Sequence, residues 1–356
     1  MASQFGGRLI FGFWEIESVQ SRAAFAGVGY YLPGEPVTSK IINRRILETT
    51  GYKLTDGLIQ RLTGVKSRYY RADDEQCSDL ATKGARQAME RANVAPDEID
   101  LLIFASCTQD ITEPATANII QEKLGCHGAQ VLDIKNACNS FLNGLDVADS
   151  HICSHKSKCA LVASGETLSL SIDWSIEGSD DLKSRIASLT LGDAGAAVVL
   201  KRAPIEQDRG IFTTRFRSYG HKWRLATVLS GGSMHGFDQR YGYFHSESHA
   251  LRDAAYDLIP GVVNDALESI GWQASDIDLV CGHQVTEEIV HGVREKCGFR
   301  EGTEIVTVTD CGNTAAASIP LCLGRAFDDG LLKPGTKAIL VGGAAGFSVG
   351  VIPIVW

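Results

Sequence analysis

Several chemistries are excluded by what this chain lacks. No stretch reaches the roughly 20 consecutive apolar residues that span a bilayer. The opening MASQFGGRLIFGFWEIESVQSR has no positive leader, and Glu15 and Glu17 interrupt its only hydrophobic run, so neither a signal peptide nor a membrane span is expected. None of the ten cysteines forms a CxxC pair. A 356-residue chain has enough core to do without disulfide staples, so reduced thiols in a cytoplasmic setting are the simpler reading. Acidic residues outnumber basic ones, 43 to 34, and the net charge of -9 argues against nucleic acid or an anionic membrane as a partner. The glycine-rich pieces LGDAGAAVVL (191–200) and VGGAAGFSVG (341–350) lack both the phosphate-loop lysine and the dinucleotide GxGxxG spacing. Their expected work is tight turns and close backbone approach, with a backbone amide offered near a reactive group. HICSHKSKC (151–159) has residue types that suit zinc, but no fourth ligand is apparent. A solvated turn and no metal are expected there.

What is present reads as α/β. From Ser78 to Asn93 small and apolar residues recur at helical spacing, and Leu101 to Phe104 form a dense apolar run typical of a strand covered on both faces. The same phrase returns: ARQAMERANVAPDEIDLLIFASC (85–107) and NDALESIGWQASDIDLVCGH (264–283) both run helix, turn, acidic pair, buried strand. Asp100 and Asp278 are 178 positions apart, and so are Ala160 and Ala338 in CALVASGE and KAILVGGA, where Gly165 also matches Gly343. Two matches at one offset predict a tandem duplication of an α/β unit with parallel sheet character. The expected division is an arm (1–22), a first half (23–200), a loop-rich insertion over a pocket (201–250) and a second half (251–356).

In each half a strand runs into small residues that can start a helix: VLDIKNACNSF in the first, IVTVTDCGNTAAASIP in the second. Active groups in open α/β sheets gather at the carboxyl ends of strands. Cys138 is therefore a buried small hydrophobe, a metal ligand or a nucleophile; a helix amino terminus or a nearby imidazole would favour the thiolate. His283 follows the buried strand IDLVC at its carboxyl end, and the Asn313 amide can donate to a developing oxyanion or simply cap a helix. Lys53, Arg61, Lys66, Arg68 and Arg71 crowd one segment, either as a phosphate-binding patch or as a solvated helix face.

GYYLP, RLTGVKSRYY, DLLIFASCTQD, DIKNACNSF, LGDAGAAVVL, GHQVTEE, GNTAAASIP and GGAAGFSVG occur in this order. Over roughly residues 23 to 352 they resemble the β-ketoacyl-(acyl-carrier-protein) synthase III group of thiolase-like condensing enzymes. The resemblance implies a duplicated five-layered α/β/α/β/α fold, usually a homodimer, with no permanently bound cofactor and with coenzyme A or carrier-protein phosphopantetheine thioesters as substrates. It makes Cys138 the acylated nucleophile, His283 and Asn313 the groups that hold the second thioester, and the Cys138 amide with the Gly343 to Gly346 turn the oxyanion donors. Glu113, in QDITEP, is either a surface loop acid or an auxiliary base, as related head-to-head condensing enzymes use a glutamate from the partner subunit.

Departures from the family pattern fall on substrate access. The family's HQAN reads HQVT, so Thr286 replaces asparagine, and Glu287 and Glu288 displace the basic residue usual after it. Leu58 stands where a tryptophan commonly covers the adenine of coenzyme A, with Arg61, Lys66 and Arg68 beyond it. Ser140 replaces the glycine of CSGF and is expected to add bulk beside the thiol. These changes suit a specialised condensing enzyme of secondary metabolism forming a β-keto product. The alternatives are acyl transfer from the same acyl-cysteine to oxygen or nitrogen, and a noncatalytic partner subunit.

Overall fold

A computed structural model describes residues 21–356; the expected arm lies almost wholly outside them. Two five-stranded sheets organise the chain. The first runs in the order Ser21–Tyr31, Ala194–Pro204, Cys159–Glu166, Leu101–Ala105, Gln130–Ile134. The second contains Leu279–Gly282, Lys337–Ala344, Ser348–Val355 and the short strands Gly210–Ile211 and Arg215–Ser218, both paired to Ser348–Val355.

Strand alternation builds the layers. Side chains two apart share a face, so Leu101, Ile103 and Ala105 point to one cluster while Leu102 and Phe104 point to another. In the second sheet Leu279, Cys281, Ala338 and Leu340 join the inward cluster of the first, whereas Val280, Ile339 and Val341 face outward. Between the sheets lie two helices, Ser140–Cys153 and Ser318–Asp328, which bury Phe141, Leu145, Ile319 and Leu323 in that shared core. Cys77–Ala92 and Thr116–Leu124 cover the outer face of the first sheet; Ser248–Glu268 covers that of the second, with Glu287–Lys296 beside it. The order is therefore α/β/α/β/α, and a single apolar mass holds the two halves together.

The repeat detected in the sequence is a repeat of register. Leu101 pairs with Ala160 and Leu279 with Ala338, both in parallel, at the same offset. The matched aspartates act alike: the Asp100 carboxylate accepts from Cys159 N at 3.2 Å and the Asp278 carboxylate from Lys337 N at 3.0 Å. Each thereby anchors the first residues of the neighbouring strand.

Small residues set the outer spacing. A Cβ at Gly29 or Gly165 would collide with backbone of the Cys77–Ala92 helix, at Gly84 O and Cys77 O. Glycine lets that helix lie directly on the sheet.

Candidate active site

The strand Gln130–Ile134 ends four residues before Cys138, and the turn between them is tightly specified. Ala137 takes a left-handed φ of 49°, a conformation that costs a residue with a Cβ roughly 1 kcal/mol. Local hydrogen bonds hold it. Ser140 Oγ donates to Ala137 O at 2.6 Å and accepts from Asn136 N at 2.8 Å, while Asn139 N donates to Asn136 O at 3.0 Å. The Ser140 hydroxyl is thus used inside the turn, bonded to backbone on both sides. Asn139, fully buried, donates to Ser348 O at 3.0 Å and Ser348 Oγ at 2.9 Å. The Cys138 turn of the first half is clamped to a strand of the second.

His283 follows Leu279–Gly282, and its N–H donates to Val341 O at 2.8 Å. The next residue, Gln284, is buried and donates to Ile305 O while its carbonyl accepts from Thr307 N and Val308 N. On the imidazole, Nδ1 lies 2.9 Å from Ser318 Oγ. The Ser318 hydroxyl spends its one proton on Ala315 O at 2.7 Å, so toward His283 it can only accept. That places the proton on Nδ1 and leaves Nε2 for the Cys138 thiol.

Asn313 is held by its backbone: its N–H donates to Thr190 O at 2.8 Å and its carbonyl accepts from Gly192 N at 3.0 Å. Its Oδ1 accepts from Ala315 N at 3.0 Å. The carboxamide orientation is set by that bond, leaving Nδ2 as the free donor. Cys138, Asn313, Ala345 and Gly346 border one cavity of about 440 Å³ whose walls include Leu168, Leu191, Trp223, Val228 and Phe244. It opens into a wider space of about 530 Å³ edged by Leu170 and Met234.

Electrostatics single out one thiol. All ten cysteines are free. Burial pushes Cys126 and Cys159 up to about 11, and Cys153, Cys297 and Cys322 up to about 12. Cys138 alone is pulled well below the ordinary thiol range, first by the hydrogen bond from the neighbouring Cys107 thiol, then by the charge and hydrogen bond of His283. Burial lowers His283, but the Cys138 charge and hydrogen bond outweigh it and the imidazole ends up raised. The pair is therefore poised as thiolate and imidazolium. Beneath it lies Glu166, fully buried, accepting from Cys107 N at 2.8 Å and from Thr108 Oγ1 at 2.9 Å. Burial pushes its carboxyl up to about 7.

Of the other residues singled out from the sequence, some converge and some do not. Gly346 borders the cavity, whereas Gly343 lies inside the strand Lys337–Ala344 opposite Val349. Glu113 is exposed in its loop, outside the cavity of its own chain. A second cavity, about 300 Å³, is bordered by Thr190, Val285 and Thr286, with Leu62, Leu182 and Leu251. Thr286 also caps the helix Glu287–Lys296, accepting from Ile289 N at 3.3 Å. Leu58 packs against the core cluster containing Ile42 and Ile59, and Arg61 turns back to Asp56 O. Lys66 is exposed and does not border that cavity.

Arg68 requires a correction. It is fully buried, donating to Leu189 O at 2.8 Å and Ser39 Oγ at 3.2 Å, and among the described residues no carboxylate pairs with it. Its guanidinium fastens the segment that holds Asn313 rather than meeting substrate.

Cys107, Glu166 and Ser318 were missed as site residues. Cys107 lies two residues past the buried strand Leu101–Ala105 and Glu166 ends Cys159–Glu166, the same signal that marked His283; nothing in the sequence marked Ser318.

A sharp strand-to-helix turn that presents a thiolate to a deep, largely apolar cavity, between the two halves of a duplicated five-layer fold, defines a thiolase-fold condensing enzyme. Comparison with known proteins narrows the class. Residues 132–220 match the family profile described as 3-oxoacyl-(acyl-carrier-protein) synthase III, and residues 267–356 match that of its C-terminal part. The β-ketoacyl-(acyl-carrier-protein) synthase III of Paramagnetospirillum magneticum is 34% identical over 332 residues, covering 92% of this chain and 97% of that one. The Rhodospirillum rubrum enzyme of the same name is 35% identical over 333 residues, covering 92% and 98%. Among solved structures, the Aquifex aeolicus 3-oxoacyl-(acyl-carrier-protein) synthase III superposes with a TM-score of 0.81 at 29% identity, covering 94% of this chain and 100% of the other. Xanthomonas campestris OleA bound to cerulenin gives 0.84 at 27% identity, covering 95% and 98%. The chain belongs to the β-ketoacyl-(acyl-carrier-protein) synthase III family.

Proposed function

We propose that Cys138 is acylated by one acyl thioester and that this acyl group is then condensed with a second in a Claisen-type step, giving a β-keto product. The observation that carries the reading is that Cys138 and Asn313 border one cavity, with the Asn313 Nδ2 left free, while the neighbouring His283 lowers the Cys138 thiol and is raised by it in return. In the first step the thiolate attacks the thioester carbonyl, the Cys138 N–H and the Ala345–Gly346 turn meet the oxyanion, and the donor leaves as its thiolate, so the imidazolium keeps its proton on Nε2 for the second step. In the second, Asn313 Nδ2 and His283 Nε2 hold the carbonyl oxygen of a malonyl-type thioester. Loss of carbon dioxide leaves a carbanion that attacks the acyl carbonyl, and the bond to Cys138 sulfur breaks.

Substrates on this reading are coenzyme A or phosphopantetheine thioesters. A structure of Xanthomonas campestris OleA, 27% identical, carries lauric acid and lauroyl-CoA. Thr286, Glu287 and Leu58, which depart from the usual family residues, support a specialised product of secondary metabolism. The division into arm, nucleophile half, pocket insertion and imidazole-amide half belongs to the same proposal. So does a homodimer: Gln130–Ile134 is the outermost strand of its sheet among the described residues, with exposed positions along it. Pairing there would bring Glu113 of one protomer toward the cavity of its partner. A cytoplasmic setting agrees with ten free thiols, and no described helix is long and apolar enough to cross a membrane.

Intact-protein mass spectrometry after incubation with acyl thioesters of graded chain length tests the reading. A covalent adduct absent from Cys138→Ala, followed by a β-keto product with malonyl thioester, is expected. No adduct at any chain length sinks it, and an ester or amide formed without decarboxylation points to acyl transfer instead.

A further inference from the structure

Cys107 has no part in the chemistry described so far beyond lowering the Cys138 thiol, yet its position is specific. The strands Leu101–Ala105 and Gln130–Ile134 are parallel neighbours with Ala105 opposite Ile134, and Ser106 N donates to Ile134 O at 3.2 Å. Cys107 and Cys138 leave the carboxyl ends of these two strands and converge. Both border the same 440 Å³ cavity, and both pack against the same apolar cluster. The two thiols bias one another's protonation: Cys138 raises Cys107, and Cys107 lowers Cys138.

We propose that Cys107 and Cys138 form a reversible oxidation site, in which Cys138 reacts with a hydroperoxide and Cys107 resolves the product as an intramolecular disulfide.

The step balances without a further reagent. The Cys138 thiolate attacks one peroxide oxygen, forming a sulfur–oxygen bond as the oxygen–oxygen bond breaks; for hydrogen peroxide the products are Cys138 sulfenic acid and hydroxide. Cys107 sulfur then displaces the sulfenic oxygen, which leaves as water with the Cys107 proton. Two thiols are oxidised and one peroxide is reduced. The geometry assigns the order. Cys138 faces the imidazole and carries the negative charge, so it is the sulfur that peroxide attacks. Cys107 is raised by the neighbouring Cys138, by burial and by the Glu166 carboxyl that its backbone N–H meets, so it keeps its proton until the sulfenic acid forms beside it. Such a partner stops a reactive thiolate in an open cavity from climbing to sulfinic and sulfonic acids, which are not reversible by thiols. The remaining eight cysteines have raised thiols and serve as internal references.

The site stands independently of the acyl substrate, because the readout is the state of two sulfurs. The whole protein is treated with graded hydrogen peroxide, blocked with an alkylating agent and mapped by peptide mass spectrometry, before and after dithiothreitol. The wild-type chain is expected to lose two hydrogens and to yield one cross-linked peptide pair carrying Cys107 and Cys138, and reduction returns both thiols to alkylation. The C107S variant is expected to add two or three oxygens at Cys138 instead, and reduction does not restore that thiol. If wild-type Cys138 gains two or three oxygens while Cys107 stays free, the proposal is overturned. It is equally overturned if Cys138 pairs with another cysteine, and the wild-type map decides this even if C107S fails to fold.

Discussion

Replacing Ser318 by alanine removes the side-chain acceptor that fixes which nitrogen of His283 carries the proton. In the wild-type chain the Ser318 hydroxyl is committed to Ala315 O, so it accepts from Nδ1 at 2.9 Å and Nε2 is left to take the thiol proton. With alanine, a buried Nδ1–H loses its acceptor, at a cost of about 1–3 kcal/mol. The neutral imidazole avoids that cost by moving its proton to Nε2, where it can no longer accept from Cys138. The thiolate–imidazolium pair is then disfavoured by about one to two pH units, since a unit is worth about 1.4 kcal/mol. The rate of Cys138 alkylation by iodoacetamide, followed against pH alongside ultraviolet thiolate absorbance, reads this directly. The curve should shift upward in pH by about that amount, and Ser318→Thr should restore it. Superimposed curves for Ser318→Ala and the wild type would refute the tautomer argument, whatever happens to overall activity.

Asn313→Asp keeps an oxygen for Ala315 N but replaces the free amide donor with a carboxylate oxygen. Acyl-enzyme should still form and accumulate, while condensation falls on the order of a hundred- to a thousand-fold; single-turnover mass spectrometry separates the two steps. Arg68→Leu strands Leu189 O in the interior and should cost about 3 kcal/mol in a urea titration, whereas a substrate-contact role would raise KM and leave stability unchanged. Glu166 gives stability a pH dependence whose sign is fixed. Its folded-state value of about 7 lies above the ordinary 4.5, so between these limits the folded state binds more protons than the unfolded and stability falls as pH rises. The loss reaches up to about 3 kcal/mol above the upper limit, and Glu166→Gln should flatten it in urea midpoints measured across that range.

Much of the architecture was legible before any coordinates. The matched aspartates, alanines and glycines revealed the duplication because each half must solve the same packing problem, and the structure returns them as identical strand registers. His283 and Asn313 were legible as candidates because strand ends and small-residue turns are where an α/β fold exposes side chains. The basic segment misled for a physical reason. A run of cations looks solvated from composition, and nothing local reveals that Arg68 turns inward to reach backbone carbonyls from a distant segment.

By itself, then, the sequence determined the layered duplicated scaffold and the chemical types available at its strand ends, since periodicity and residue identity are local properties. The tertiary structure alone decided which sulfur is the thiolate, which imidazole nitrogen faces it, and that a second thiol and a buried carboxyl lie beside it. Those outcomes depend on distances between groups brought together from both halves of the chain. Charge and hydrogen bonding act across space, and spacing along the backbone does not encode them.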